Sequence, residues 1–315
     1  MGADTQSASE RREDSSMSIQ DTKVTTGRQQ HDSTSQTASL TAVQTALNYL
    51  TDVTDKPYTY MYTPPAGTPI RTGEYAPRPM TIYDGRALRD QLTLDQNGFM
   101  LTSHETTVTN FYDEKEVRTV YYPEVAELVK QVTGATKVIV FDHNVRCAPK
   151  AKRKENGARE PVMMAHNDYT LRSGPQRVRD LLPADEAETL LKHRFAVINV
   201  WRPIQGPVLD APLAVCDAQT LSQQHFVAMD LRYHDRTGEV YAISYSPDQR
   251  WFYFSQMQTN EAMLLKCYDS MEDGRARFTA HSAFQNPTAP PDAPARESIE
   301  ARTLVFFAPG TVATQ

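Results

Sequence analysis

The chain is poor in the features that define several large protein classes. It has only three cysteines in 315 residues (Cys147, Cys216, Cys267), none in a C-x-x-C spacing. That argues against a disulfide framework and against a zinc ribbon, and it fits a reducing, cytoplasmic setting. No apolar run is long enough to span a bilayer, and the first residues carry no signal-peptide core. The chain opens Met-Gly, but position 6 is Gln, so the myristoylation pattern fails. G-x-G-x-x-G, the P-loop, G-x-S-x-G and H-E-x-x-H are all absent. A net charge of −6 gives no reason to expect nucleic acid or a membrane surface as a partner.

Local structure is read from spacing. Residues 1–39 are rich in Ser, Thr, Gln and charge and contain no aromatic residue. A segment of that composition buries too little apolar surface to offset its ordering entropy, so a disordered tail is expected before a single domain over 40–315. Leu40, Val43, Leu47 and Leu50 predict a helix over 40–51. Pro57 to Pro79 is expected to run extended, and Asp95-Gln-Asn-Gly98 to turn. A helix is predicted over Pro123–Val132, ended by Gly134. Lys137–Asp142 is then a core strand, and Lys150–Glu160 a charged hairpin loop. Two helices should follow, one over Ser173–Pro183 and one with Asp185 as its N-cap.

From Phe195 on, short strands separated by turns dominate: Phe195–Trp201, Leu213–Cys216, Phe226–Tyr233, Glu239–Ser246, Arg250–Gln256, Ala262–Tyr268, Phe278–Phe284 and Ser298–Phe307. A strand–helix alternation is missing, which disfavours a doubly wound nucleotide fold. The expectation is a mainly β protein with flanking helices and a jelly-roll, double-stranded β-helix core.

The chemistry centres on Pro161-Val-Met-Met-Ala-His-Asn-Asp-Tyr-Thr170, read as a buried strand. Residues two apart on a strand share a face, so His166 and Asp168 aim an imidazole and a carboxylate at one point. With eight histidines and 39 acidic residues in the chain, roughly one H-x-[DE] is expected by chance, and one is found. Context must therefore carry the argument. A third ligand would complete the 2-His-1-carboxylate triad of non-haem Fe(II) oxygenases. A jelly roll brings it from a late strand, and His281 fits better than His193, His225 or His234.

An Fe(II) oxygenase commonly draws two further electrons from 2-oxoglutarate, whose distal carboxylate needs a fixed cation. A guanidinium gives two parallel charge-assisted bonds. Arg296 lies fifteen residues past His281, and Ser298, two residues on, shares its face. H-x-D, a distant His and R-x-S together form an ordered signal. Arg202 and Arg302 are rivals for the cation. Asn199 is a further co-substrate candidate, and Tyr169 and Trp201 are candidate pocket walls. Arg177 and Arg179 read as a solvated helix face, and Trp251–Phe254 as core.

Ala165-His-Asn-Asp-Tyr-Thr170, Val197-Ile-Asn-Val-Trp-Arg-Pro203, Gly206-Pro-Val208, Leu213-Ala-Val-Cys-Asp217 and Arg296-Glu-Ser-Ile-Glu-Ala-Arg302 also carry a resemblance. They resemble the fungal hydroxylase/desaturase family related to the cephamycin 7α-methoxylase component and the fungal gibberellin desaturase, over roughly residues 70–308. The resemblance implies an Fe(II)/2-oxoglutarate-dependent oxygenase on a double-stranded β-helix. Such an enzyme uses O₂ to hydroxylate, desaturate or oxidatively cyclise a small-molecule intermediate of secondary metabolism. It leaves the substrate open. Asp168 disfavours halogenation, because iron halogenases of related architecture leave that position empty for chloride. Two alternatives stand beside this reading: a jelly-roll metalloenzyme working without 2-oxoglutarate, and a non-catalytic jelly-roll binding protein. Monomer and homodimer both remain open.

Overall fold

In the computed structural model, which describes residues 40–51 and 54–310, the chain from Ala42 is a strand and not the expected helix. Strand β1 (Ala42–Leu50) pairs antiparallel with β3 (Tyr75–Asp84) over its whole length. Val43 and Leu47 fit both a helical and a strand face, since four residues is a multiple of two as well as about one helical turn. Tyr49 decides between them: it is buried with Val43 and Leu47 on the period-two face. The β-branched and aromatic residues of the segment suit a pleated surface better than a helix. The tail over 1–39 lies outside the described residues.

Further on the expectations hold more closely. β2 (Tyr58–Tyr60) is short, and β4 (Phe99–Ser103) follows the predicted turn. Helix α1 (Tyr122–Thr133) has Pro123 in its first turn and ends on Gly134 at φ 71°, whose N–H donates to the Lys130 carbonyl. That is the left-handed cap that glycine favours. β5 (Lys137–Arg146) runs four residues beyond its predicted end. The expected loop after it instead opens with a short helix, α2 (Ala148–Lys152). β6 is only His166–Asn167. Helix α3 (Ser173–Leu181) is where it was predicted. α4 (Ala184–Leu190) has Pro183, not Asp185, at its N-cap position; Asp185 lies in its first turn, where a carboxylate favours the exposed N–H groups.

The remaining strands are β7 (Phe195–Pro203), β8 (Leu213–Cys216), β9 (Phe226–Arg232), β10 (Thr237–Ile243), β11 (Trp251–Tyr253), β12 (Glu261–Asp269), β13 (His281–Ala283) and β14 (Ser298–Phe306). They form a nine-stranded sheet in the order β1-β3-β11-β8-β13-β6-β10-β9-β2 and a five-stranded sheet in the order β4-β12-β7-β14-β5. The inner faces of both sheets meet in one core that includes Leu47, Ile82 and Trp251 from the larger and Val197, Met263 and Leu304 from the smaller. This is a jelly-roll packing. The outer face of the five-stranded sheet (Ile198, Val200, Leu264, Ile299, Val305) is covered by Val125, Leu128 and Val129 of α1. Each such side chain removed from water contributes about 1.5–3 kcal/mol.

Candidate metal centre and co-substrate chamber

β6 and β13 are neighbours in the large sheet, and His281 stands directly opposite His166 in the antiparallel register. The imidazole rings lie 4.3 Å apart. Asp168, just past β6, brings its Oδ1 to 3.5 Å from His166 Nε2 and 4.0 Å from His281 Nε2. The three ligand atoms lie within 4.8 Å of one another and form the one such group among the described residues.

Each histidine is oriented from behind. His166 Nδ1 lies 2.8 Å from the Met164 carbonyl, and His281 Nδ1 3.1 Å from the Thr279 carbonyl. A carbonyl only accepts, so both Nδ1 atoms carry the proton, which leaves both Nε2 lone pairs free for a metal. Burial, and next the neighbouring His166, push His281 below the usual histidine range and keep it neutral. Burial alone would raise Asp168. The Arg302 guanidinium and the His166 contact hold it well below the usual carboxylate range.

Between the ligands, Asn167 pins the turn. Its Nδ2 donates to the Tyr169 and Cys267 carbonyls, and its Oδ1 accepts from the Thr279 N–H. Cys267 is the extra residue of a bulge in β12, and bulges commonly re-aim groups beside a site. Gly98, at φ 84°, closes the Asp95–Gly98 turn against the same place. A Cβ there would meet Thr279 Oγ1 at 2.2 Å, whereas that hydroxyl now donates to the Gly98 carbonyl.

β14 carries the polar wall of the site. Its even positions face inward, giving Arg296 just before the strand and then Ser298, Glu300 and Arg302. Arg302 Nε donates to Asp168 Oδ2 at 3.0 Å, and its Nη1 to Asp142 Oδ1 at 2.8 Å. Asn199 Nδ2 donates to Asp168 Oδ2 at 2.8 Å and to Glu300 Oε1 at 3.0 Å. Arg302 and Asn199 thus hold Asp168 by Oδ2, which leaves Oδ1 toward the two imidazoles.

Arg296 is buried and sits 5.6 Å over the Trp201 ring. It donates from Nη1 to the Ala211 carbonyl, and its Nε has no partner. Ser298 Oγ is likewise buried without a partner. Burial, and next the Arg146 guanidinium, push Arg296 down to about 9. Both causes make an uncompensated positive charge costly at this place. Arg296, Trp201, His166, His281, Glu300, Arg146, Val162, Leu213 and Ala283 enclose a narrow chamber. Arg296 Nε and Ser298 Oγ, two residues apart on the inner face, are donors of the kind that take up a carboxylate.

Arg202 is not in this group. It points to the outer face, where its guanidinium donates to His104 Nδ1 and to the His104 and Thr259 carbonyls and lies against Phe111 and Tyr121. Its neighbour in sequence, Trp201, takes the inner face, as the alternation requires.

A larger cavity of about 1000 Å³ opens beyond the ligands and is lined by His166, Asp168, Tyr169, Met164, Met229 and Arg302, among others. Arg177 borders it, contrary to the solvated face read from its spacing, while Arg179 is outside and pairs with Glu188. Trp251–Phe254 are core, as read. Arg146, Glu300 and Asp142 were missed by the sequence reading. The period-two pattern Arg296/Ser298/Glu300/Arg302 was the available signal for Glu300. Asp142 and Arg146 depended on a bulge that no spacing reveals.

A family model described as "Oxidoreductase/YMDC permease-like domain" matches residues 47–306. The hydroxylase/desaturase efuI of Hormonema carpetanum is 33% identical over 288 residues, covering 84% of this chain and 95% of the relative. The Fe(II)/2-oxoglutarate-dependent dioxygenase nvfI of Aspergillus novofumigatus is 34% identical over 258 residues, covering 78% and 90%. A solved structure of the iron and alpha-ketoglutarate-dependent endoperoxidase NvfI superposes with a TM-score of 0.78 at 30% identity, covering 85% of this chain and 99% of that one.

Proposed function

Since the chain belongs to the fungal hydroxylase/desaturase family of Fe(II)/2-oxoglutarate-dependent dioxygenases, we propose that His166, Asp168 and His281 hold the iron and that Arg296 and Ser298 hold the distal carboxylate of 2-oxoglutarate. The observation that carries this assignment is the pairing of two back-bonded imidazoles, their Nε2 atoms free beside Asp168, with two buried donors, Arg296 Nε and Ser298 Oγ, that lack partners. Iron, 2-oxoglutarate and O₂ together supply the oxidant for an unactivated C–H bond.

The protein's part is positional. The Met164 and Thr279 carbonyls fix the imidazole tautomers. Arg302 and Asn199 keep Asp168 ionised and turned toward the metal. Trp201 and Leu213 wall the chamber with apolar surface, which strengthens the Arg296 contact to an anion. The large cavity takes the organic substrate, with Tyr169 and Met164 beside the ligands. The position of the substrate C–H bonds there selects hydroxylation, desaturation or, as in the endoperoxidase relative, peroxide formation.

The same reading takes residues 40–315 as one catalytic domain and 1–39 as a tail dispensable for iron and 2-oxoglutarate binding. Among the described residues no helix is long and apolar enough to cross a membrane. We place the enzyme in the cytoplasm on its three buried, unpaired cysteines.

Anaerobic titration of the apoprotein with Fe(II) and then 2-oxoglutarate tests the assignment through the weak visible charge-transfer band of the chelate. Wild type should develop the band, and Asp168→Ala and Arg296→Ala should lose most of it. Iron-loaded wild type without a band would overturn the co-substrate site.

A further inference from the structure

The large cavity has two kinds of wall. One is a single face of the β9–β10 hairpin. Met229 stands opposite Val240 and Leu231 opposite Gly238 in the antiparallel register, and directly opposed residues share a face. Outward, the same face continues to Tyr233, whose N–H donates to the carbonyl of the exposed Arg236. Inward, it reaches Ala242, which stands across from the proposed iron ligand His166. An apolar strip therefore leads from the metal toward solvent. Its stretch from Ala242 to Gly238 spans roughly 13 Å at the rise of a strand. Gly238 is the open place in it. Its φ lies outside the left-handed region, and a Cβ there would meet nothing closer than Tyr233 Cε2 at 3.6 Å. Neither backbone nor packing calls for glycine, and a strand glycine of this kind often marks the close approach of a ligand.

The other wall is cationic. Six arginines and no lysine line the cavity, in a chain whose net charge is −6. All four carboxylates of the lining are engaged: Asp168 and Asp142 by Arg302, Glu239 by Lys56, and Asp180 by Gln176 and, at 3.9 Å, by Arg177. Arg159, Arg172 and Arg236 are left without an ion pair among the described residues, and Arg236 lies 4.2 Å over the Tyr233 ring. These three are exposed and border this cavity but not the inner chamber. They stand at the mouth, away from the co-substrate.

Resting on the reading that this cavity takes the organic substrate, we propose that the substrate is an acid. Its apolar body lies along the β9–β10 strip toward the metal, and its carboxylate, remote from the carbon that is oxidised, is held at the mouth by the guanidinium groups of Arg159, Arg172 and Arg236. The guanidinium fork matches a carboxylate, and a cationic mouth on an anionic protein draws such a substrate in. A carboxylate placed deeper would lose its water against the apolar strip.

The test keeps the chamber filled and reads binding. Protein loaded anaerobically with Fe(II) and saturated with 2-oxoglutarate, its charge-transfer band marking the chelate, is titrated calorimetrically with octanoate and 2-naphthoate and with their neutral analogues octanamide and 2-naphthamide. Wild type should bind each acid about tenfold tighter than its amide, the range of a charge-assisted contact. The triple variant Arg159→Gln, Arg172→Gln, Arg236→Gln changes only exposed side chains without carboxylate partners, and it should lose that preference while binding the amides as before. Gly238→Val fills the strip and should weaken acid and amide alike. Arg179→Gln removes a charge from α3 outside the cavity and should change neither. Equal binding of acid and amide by wild type would overturn the proposal, as would binding of neither, or a triple variant that holds the acids as well as Arg179→Gln does. Wild-type affinities in Gly238→Val would overturn it too, by taking the ligand off the strip. Iron-loaded wild type that gives no band with 2-oxoglutarate would instead refute the co-substrate site, a separate failure.

Discussion

In the central strands of the five-stranded sheet both faces are buried, yet they do opposite work. All nine residues of β7 are buried, yet its alternate residues enter different environments. Ile198 and Val200 pack under α1, while Asn199 faces Asp168 and Trp201 the chamber. β14 repeats the division, with Ile299, Ala301 and Val305 outward and Ser298, Glu300 and Arg302 inward. Each face carries a buried arginine. Outward, Arg202 gives three hydrogen bonds to fixed acceptors; inward, Arg296 gives one and shares its chamber with Arg146. Burial therefore does not separate core from site. What separates them is how far the protein supplies partners: Nε is unpartnered in both arginines, but the terminal nitrogens of Arg202 reach three acceptors and those of Arg296 one.

Removing a ligand from the inner face should have the largest effect. His281→Ala leaves two donors where a facial triad needs three, and stoichiometric Fe(II) binding should be abolished, measured by metal analysis after desalting. Retention of one tightly held iron per chain would place the metal elsewhere. Arg302→Leu comes next. It strands Asp168 in a buried site without its guanidinium, and breaking a pair of this kind costs about 3–5 kcal/mol. Urea unfolding of the apoprotein should show that loss, and added Fe(II) should restore more stability to the variant than to wild type. The sharpest comparison pairs Arg202→Met with Arg296→Met. The first should lower stability by about 1–3 kcal/mol, because three acceptors lose their donor, and should leave 2-oxoglutarate affinity unchanged. The second should weaken 2-oxoglutarate binding about 10- to 100-fold with little change in the urea midpoint. Equal behaviour of the two variants would erase the distinction between the faces.

How much of this was legible in the sequence depends on the range of each signal. Phe195 to Phe306 could be read strand by strand because period-two alternation and turn residues are local. H-x-D, His281 and Arg296/Ser298 were legible as an ordered pattern, since strand geometry alone requires residues two apart to share a face. The segment from Ala42 to Leu50 misled because Val43 and Leu47 satisfy both periods, and only pairing with β3 decides between them. Arg202 was a reasonable rival for the co-substrate cation on charge alone. Its exclusion needs the knowledge that Trp201, not Arg202, takes the inner side. Arg146 could not be found from spacing, because the bulge at Phe141 shifts the face that the later residues of β5 present. Bulges answer to a partner strand more than a hundred residues away.

The smallest and broadest effect should come from the outer face, through His104. Its Nδ1 lies 3.2 Å from Arg202 Nη1, which can only donate, so the imidazole must be neutral there. Burial, and next the Arg202 charge, push His104 below its usual range. Between that depressed value and about 6.5, where an unfolded histidine titrates, the unfolded chain binds the additional proton. Stability is therefore complete above that upper limit and declines as pH falls, by at most about 1.4 kcal/mol per pH unit for one group. Urea midpoints of the apoprotein, measured between pH 7.5 and 5 on a titration of roughly this span, should fall with acid, and His104→Gln should flatten part of the slope. The inner face must be kept out of the measurement. His281 is also pushed down by burial, so a His104→Gln, His281→Ala double variant compared with His281→Ala alone isolates the outer contribution. A slope unchanged by the loss of His104 would mean that the Arg202 cluster is held by its carbonyl acceptors, with the imidazole a bystander.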